Sequence, residues 1–200
     1  MSEPLAPAPH GGIRAKSVLG LIRLLVVFAF LAALARYALP EQIDFWLGLP
    51  LVIAGGAVRA WSAGYLLKTN ELAITGPYAY TRNPLYLGRL LLLTGFTLMA
   101  RLPYHLNLGI LLVGYVVFFA YYLPRKERVE CNRLRERHGE PYERYEAAVP
   151  ALFPRLRPYR ADASTERGGW QWSRFAHNRE YLMIMMEAGL IGWFAYLAFT

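Results

Sequence analysis

Two hundred residues are enough for one domain with a substantial core, and 56% of them are hydrophobic. That apolar share, with a positive mean hydropathy, is too high for an ordinary water-soluble domain of this size. The 22 Lys and Arg against 14 Asp and Glu leave a formal charge of +8, and its placement along the chain argues for a membrane surface and against nucleic acid.

The apolar residues come in blocks, not in alternation. Met1–Gly12 is rich in Pro and Gly and reads as a disordered tail. Four blocks then follow at about Val18–Leu39, Phe45–Leu67, Leu85–Ala100 and Leu106–Leu123, with a fifth at Glu180–Phe199. Crossing a hydrocarbon layer of about 30 Å takes roughly 20 helical residues. Lipid offers the backbone no hydrogen-bond partners, so the expected class is all-α, a polytopic membrane protein of five transmembrane helices. The first block is too long for a signal-peptide core and is read as a retained span. Arg23 and Arg36 near its ends can reach the headgroups.

Thirteen Lys and Arg fall between Arg125 and Arg179, while Arg14, Lys16, Lys68 and Arg82 flank the first three spans on the same predicted side. Basic loops mark the cytoplasmic face, which puts the N-terminus inside the cell and the last residue outside. The compact size and lack of an organelle signal fit a prokaryotic inner membrane. Cys131 is the only cysteine, so no intrachain disulfide can form.

In the second span Gly56, Ala60 and Gly64 repeat every four residues, a spacing that admits a neighbouring helix or a substrate groove. Arg59 interrupts the same span, as a functional intramembrane charge or as a side chain reaching the cytoplasmic face near Lys68. The third span opens with Asn83 as an N-cap and Pro84 in the first turn, leaving free N–H groups for a ligand carboxylate. After Leu123-Pro124 the character changes. Arg125–His138 is charged with helical spacing and stops at Gly139, and Pro150, Pro154 and Pro158 punctuate an extended basic stretch. Ala161–Trp170 reads as a flexible loop, and Trp170 and Trp172 as an interfacial pair before the last span.

The four His residues have no metal-ligand spacing, and no phosphate loop, dinucleotide fingerprint or nucleophile elbow occurs. Two polar clusters remain on the same predicted side. One is Tyr78, Tyr80, Arg82, Asn83 and Tyr86 in the hinge Gly76–Gly88. The other is Lys126, Glu127 and Glu130, followed by Gly139, Tyr142 and Tyr145. Lys126 and Glu130, four apart, share a helix face. The plain reading is a surface ion pair beside an aromatic belt.

The hinge GPYAYTRNPLYLG, followed by two spans and then E-x3-L-x4-G-x2-Y-x2-Y-x3-VP, resembles the isoprenylcysteine carboxyl methyltransferase family, to which the phospholipid N-methyltransferases are similar. The resemblance covers about Glu71 to Pro154. It implies S-adenosylmethionine as cofactor, held by Glu71, Leu72, Ala73, Ile74, Tyr78, Asn83, Pro84, Tyr86 and Glu130, and ties Lys126 to the substrate. Arg82 and Lys126 are the candidate catalytic residues, for contact with the acceptor or a phosphate. Asn83 stands where that family usually has His, and Cys131 where it has a second Glu. Such a cytoplasmic site would need mainly to align donor and acceptor and to exclude water. The acceptor would be a lipophilic or lipid-modified molecule arriving from the membrane lipid, with no nucleic acid partner. The alternatives are a phospholipid or other lipid amine N-methyltransferase, and a non-catalytic transport or partner-binding module with Arg59, Arg89 and Glu187 as intramembrane charges.

Overall fold

The structure, a computed structural model, describes residues 36–66, 72–160 and 169–200 together with Leu25, Ala29, Ala32 and Ala33. The chain divides into two compact units, residues 1–38 and 39–200. In the first, Leu25, Ala29, Ala32, Ala33, Arg36 and Tyr37 are helical; the expected tail Met1–Gly12 and most of the first span lie outside the described residues. In the second unit the regular elements are helices: α1 (Gln42–Ala63), α2 (Pro84–Met99), α3 (Leu106–Val117), α4 (Leu123–His138), α5 (Glu140–Ala148), α6 (Trp172–His177) and α7 (Glu180–Phe199). No strand occurs among the described residues.

Three helical stretches are long and apolar enough to cross a membrane: Gln42–Ala63, Pro103–His138 and Glu180–Phe199, while Pro84–Met99 is a shorter apolar helix. The middle stretch is continuous because a π-helical turn, Phe118–Tyr122, joins α3 to α4. The sequence marks a change of character at Leu123-Pro124, and the composition does change there. The helix does not stop, because Pro124 sits in the first turn of α4, where a missing N–H costs little. Leu108, Leu112, Val113, Val116 and Val117 on α3 are exposed, as expected of a face turned to hydrocarbon.

α1 starts at Glu41, whose backbone N–H donates to the Asp44 carboxylate at 2.9 Å in a capping box. Arg101, just beyond α2, ion-pairs with Glu41 at 2.5 Å and Asp44 at 3.4 Å. That pairing ties the end of α2 to the start of α1, so the two helices run antiparallel. They also touch backbone to backbone. A Cβ placed on Gly48 would stand 2.3 Å from the Gly95 carbonyl oxygen, and one on Gly55 would stand 2.8 Å from that of Gly88. Small residues do bring α1 close to a neighbour, but through Gly48 and Gly55. Gly56 faces Glu187 of α7, and Gly64 faces the Trp170 indole.

The end of α1 is held by later segments. Asn178 Nδ2 donates to the carbonyls of Ala63 (3.0 Å) and Leu66 (3.2 Å), and Gln171 N–H to that of Gly64 (3.0 Å). These bonds satisfy carbonyls that a helix end leaves without partners. Gly139 ends α4 at φ +58, a conformation that favours glycine. α5 then turns back and buries Tyr142 and Tyr145 with Ile74, Cys131 and Val149.

The glycine contacts predict a specific sensitivity. Gly55→Leu would force a side chain into the Gly88–Leu92 backbone, and overpacking of this kind costs about 1–3 kcal/mol. The thermal unfolding midpoint in detergent should fall accordingly. Gly109→Leu, where nothing lies within 4 Å, should leave it unchanged.

Candidate functional site

The hinge between α1 and α2 carries a one-turn 3₁₀ helix, Gly76–Ala79, and is braced by the segment after α5. Arg82 N–H donates to Pro150 O (2.9 Å), Arg155 N–H to Tyr80 O (3.0 Å) and Tyr159 N–H to Ala79 O (2.9 Å). Thr81 Oγ1 donates to Leu152 O at 2.9 Å, and the Tyr145 hydroxyl to Tyr78 O at 2.8 Å. A polar loop is thereby fixed against α5 and the segment that follows it.

Between these elements lies a cleft of about 320 Å³. Its walls include Leu72, Ala73, Tyr78, Arg82, Asn83, Pro84 and Tyr86 from the hinge side, and Lys126, Glu127, Glu130 and Cys131 from α4. The fold therefore brings together most of the residues singled out from the sequence. Ile74 does not reach the cleft, because it is buried in the cluster with Cys131, Tyr142, Tyr145 and Val149. Glu71 lies outside the described residues.

Asn83 occupies the N-cap position before Pro84, yet its side chain makes no capping bond. The amide is engaged elsewhere: Nδ2 donates to Glu127 Oε1 (2.5 Å) and Ala151 O (2.8 Å), and Oδ1 accepts from Lys126 Nζ (2.5 Å). The expected cap is thus replaced by a bridge between the hinge, α4 and the returning chain. An amide can do this because it donates and accepts at once.

Arg82 is the second hub. Its guanidinium meets Glu127 Oε2 at 2.7 Å and Glu146 Oε1 at 3.1 Å, and Nη1 lies 3.2 Å from Cys131 Sγ. Glu146 in turn accepts from Arg135 Nε at 2.8 Å. Lys126 pairs with Glu130 and sits 4.1 Å from the centre of the Tyr86 ring, a cation–π contact. The Tyr86 hydroxyl meets that of Tyr122 at 3.1 Å. Half of the Glu130 side chain remains exposed at the rim.

Glu146, Arg135 and the carbonyls of Pro150, Ala151 and Leu152 were not read as site residues from the sequence. Glu146 lies 64 residues from Arg82, and no local spacing relates the two. Glu127 was marked only as a charge beside Lys126, although its carboxylate bridges both hubs.

The electrostatics are one-sided. Arg82, Lys126, Arg133 and Arg137 line the cleft against Glu127 and Glu130. Among the described residues no group of three or more His, Cys, Asp or Glu side chains could hold a metal ion. Burial, followed by the charge of Glu130, pushes the Tyr78 phenol well above its usual range, and burial does the same to Tyr145. Both remain neutral hydrogen-bonding groups at physiological pH. Burial also pushes the Glu146 carboxyl up. The hydrogen bonds from Arg135 and Cys131 and the charges of Arg135 and Arg82 outweigh it and hold Glu146 below the ordinary carboxylate range.

Three helices long and apolar enough to cross a membrane, with a polar cleft built from a hinge and a charged helix, are compatible with a membrane protein of the all-helical class. The chain is similar to the nickel-cobalt-cadmium resistance protein NccN of Alcaligenes xylosoxydans xylosoxydans, with 27% identity over 168 residues, 80% of this chain and 75% of that protein. It is also similar to the cobalt-zinc-cadmium resistance protein CzcN of Cupriavidus metallidurans, with 33% identity over 120 residues, 59% of this chain and 51% of that protein. No family model matches the chain, and no solved structure does.

These relatives overturn the expectation of an isoprenylcysteine carboxyl methyltransferase or other methyltransferase, because both are named for metal resistance. The physical reason lies in what the motif reports. An aromatic, proline-bearing hinge ahead of an apolar helix describes how two helices are joined, and chains of different function can share such a joint. The two departures, Asn83 and Cys131, fall inside the network around Arg82 and Glu127.

A depressed carboxyl pKa stabilises the fold above the unfolded value, near about 4.3 for Glu, and that contribution is lost as pH falls through the folded value. Glu146→Gln should therefore be less stable than wild type at pH 7, by about 2 kcal/mol for a charged hydrogen bond. The gap in thermal midpoint should shrink steadily as the buffer is taken below about pH 4.

Proposed function

We propose that this chain is an integral membrane component of a resistance system for divalent transition-metal cations. The likeness to two proteins named for resistance to nickel, cobalt, zinc or cadmium carries this reading. It extends over 168 residues in one case, more than the hinge and α4 together provide. Geometry supplies a constraint on how such a role is filled. The cleft presents four cationic side chains against two carboxylates, so it repels a bare metal cation instead of seating one. The chain then serves beside the cation's path and does not coordinate it in the cleft.

The finer topology belongs to the same proposal. Five spans, with the first at Val18–Leu39 and the short apolar α2 as the third, place the hinge, α4 and α5 on the cytoplasmic side of an inner membrane. The basic residues at that end support this orientation.

Deleting the gene in its host should lower the concentration of Cd²⁺, Co²⁺, Ni²⁺ or Zn²⁺ at which the cells grow, and a plasmid copy should restore it. An Arg82→Met copy should reach the membrane at reduced level or fail to restore tolerance, since it leaves Glu127 to Asn83 and Glu146 to Arg135 alone; losing a hydrogen bond to a charged group costs about 2 kcal/mol. Unchanged tolerance to all four metals after deletion would refute the proposal.

A further inference from the structure

A second cavity, of about 310 Å³, opens between α1 and α7. Val52, Gly56, Ala57, Ala60, Ile184 and Glu187 are among the residues that line it. Both helices are long and apolar enough to cross a membrane, so this groove belongs among hydrocarbon chains. Glu187 is only 7% exposed, and its Oε1 has no hydrogen-bond partner. Its other oxygen lies against the small-residue wall: a Cβ placed on Gly56 would be 2.6 Å from Oε2.

The cation whose field reaches Glu187 is Arg59, which makes no hydrogen bond to it. Arg59 Nη2 donates to both oxygens of Glu180, at 2.7 and 2.8 Å, while Arg59 Nε and Nη1 reach no partner. Glu187 is therefore left facing an apolar groove, a costly arrangement in lipid unless something brings a donor to it.

We propose that the groove docks a second copy of this chain, with the two Glu187 side chains meeting across a two-fold axis along the membrane normal. The occupant must be slim where it meets Gly56, Ala57 and Ala60, and must present a donor at the depth of Glu187. A lipid chain has no such donor. A second copy in the same orientation has its Glu187 at the same depth, so a two-fold axis aligns the groups without further adjustment. A carboxyl is self-complementary once protonated, each O–H donating to the other's carbonyl oxygen. Two carboxylates at hydrogen-bond distance do not both stay ionised. The charged groups facing the pair from its own chain are Arg59 on α1 and Glu180 on α7, bound to each other. The small residues then let the backbones close, so packing and hydrogen bonding favour the same geometry.

The full chain with a C-terminal fluorescent protein, reconstituted into liposomes at decreasing protein-to-lipid ratio, tests this by counting photobleaching steps. Wild type should bleach in two steps. Glu187→Gln should as well, since an amide both donates and accepts. Glu187→Ala and Ala57→Phe should shift the population to single steps, with the association constant down on the order of tenfold. Ala57 is an exposed residue, so its substitution leaves the core alone. Single steps for wild type at every ratio, or a dimer unaffected by both Glu187→Ala and Ala57→Phe, would overturn the proposal.

Discussion

Backbone contact between α1 and α2 is the constraint on which the rest of the second unit depends. Gly48 and Gly55 leave no side chain between their helix and the carbonyls of Gly95 and Gly88. In lipid, where apolar side chains gain nothing by leaving solvent, such close packing is a main source of helix association. The contact also fixes what happens at the ends. Arg59 lies over Gly88, where a Cβ would come within 2.5 Å of its Cγ, and its guanidinium is directed to Glu180 on α7. α1 thus packs on α2 through one set of glycines and lines the α1–α7 groove with Gly56, Ala57 and Ala60.

The polar end is organised so that the carboxylates of Glu127, Glu130 and Glu146 each have a partner inside the same chain. Arg82 neutralises Glu127 and Glu146, Asn83 links Glu127 to Lys126, and Lys126 links Asn83 to Glu130. Side chains from the hinge, α4 and α5 thus form one network with few free valences. A network of this kind is sensitive to loss of any member, since the partner left behind is partly buried and charged. It also explains why a solvent-facing end rich in charge holds a defined cleft at all.

Much of this was legible from sequence where the signal is local. The start of α2 at Pro84, the stop of α4 at Gly139, the last helix at Glu180–Phe199 and the Lys126–Glu130 pair all follow from spacing and from the preferences of Pro, Gly and charged residues. What was hidden depends on distant partners. Nothing near Glu146 points to Arg82, and nothing near Ile74 shows that it turns into the core instead of the cleft. The glycines that touch α2 could not be told from those that face α7, because all lie on one helix and only the crossing angle selects among them. Function was the least legible level. A hinge motif describes a local shape, and the similarity to two metal-resistance proteins over longer stretches of chain points away from the family that shape suggested.

The intramembrane charges sharpen the contrast between the two polar regions. Arg59 and Glu180 form a buried pair with both carboxylate oxygens engaged, and such a pair is explained by helix packing alone. Glu187, about two turns further along α7, has no such explanation, because its unpartnered oxygen sits beside small residues that give it no donor. A carboxyl is expensive to keep in hydrocarbon, and an apolar side chain would fill the same position at lower cost. The carboxylates of the hinge and α4 find their partners within one chain, whereas Glu187 Oε1 in the groove stays open. On physical grounds, it is the open group that has to find its partner outside the chain.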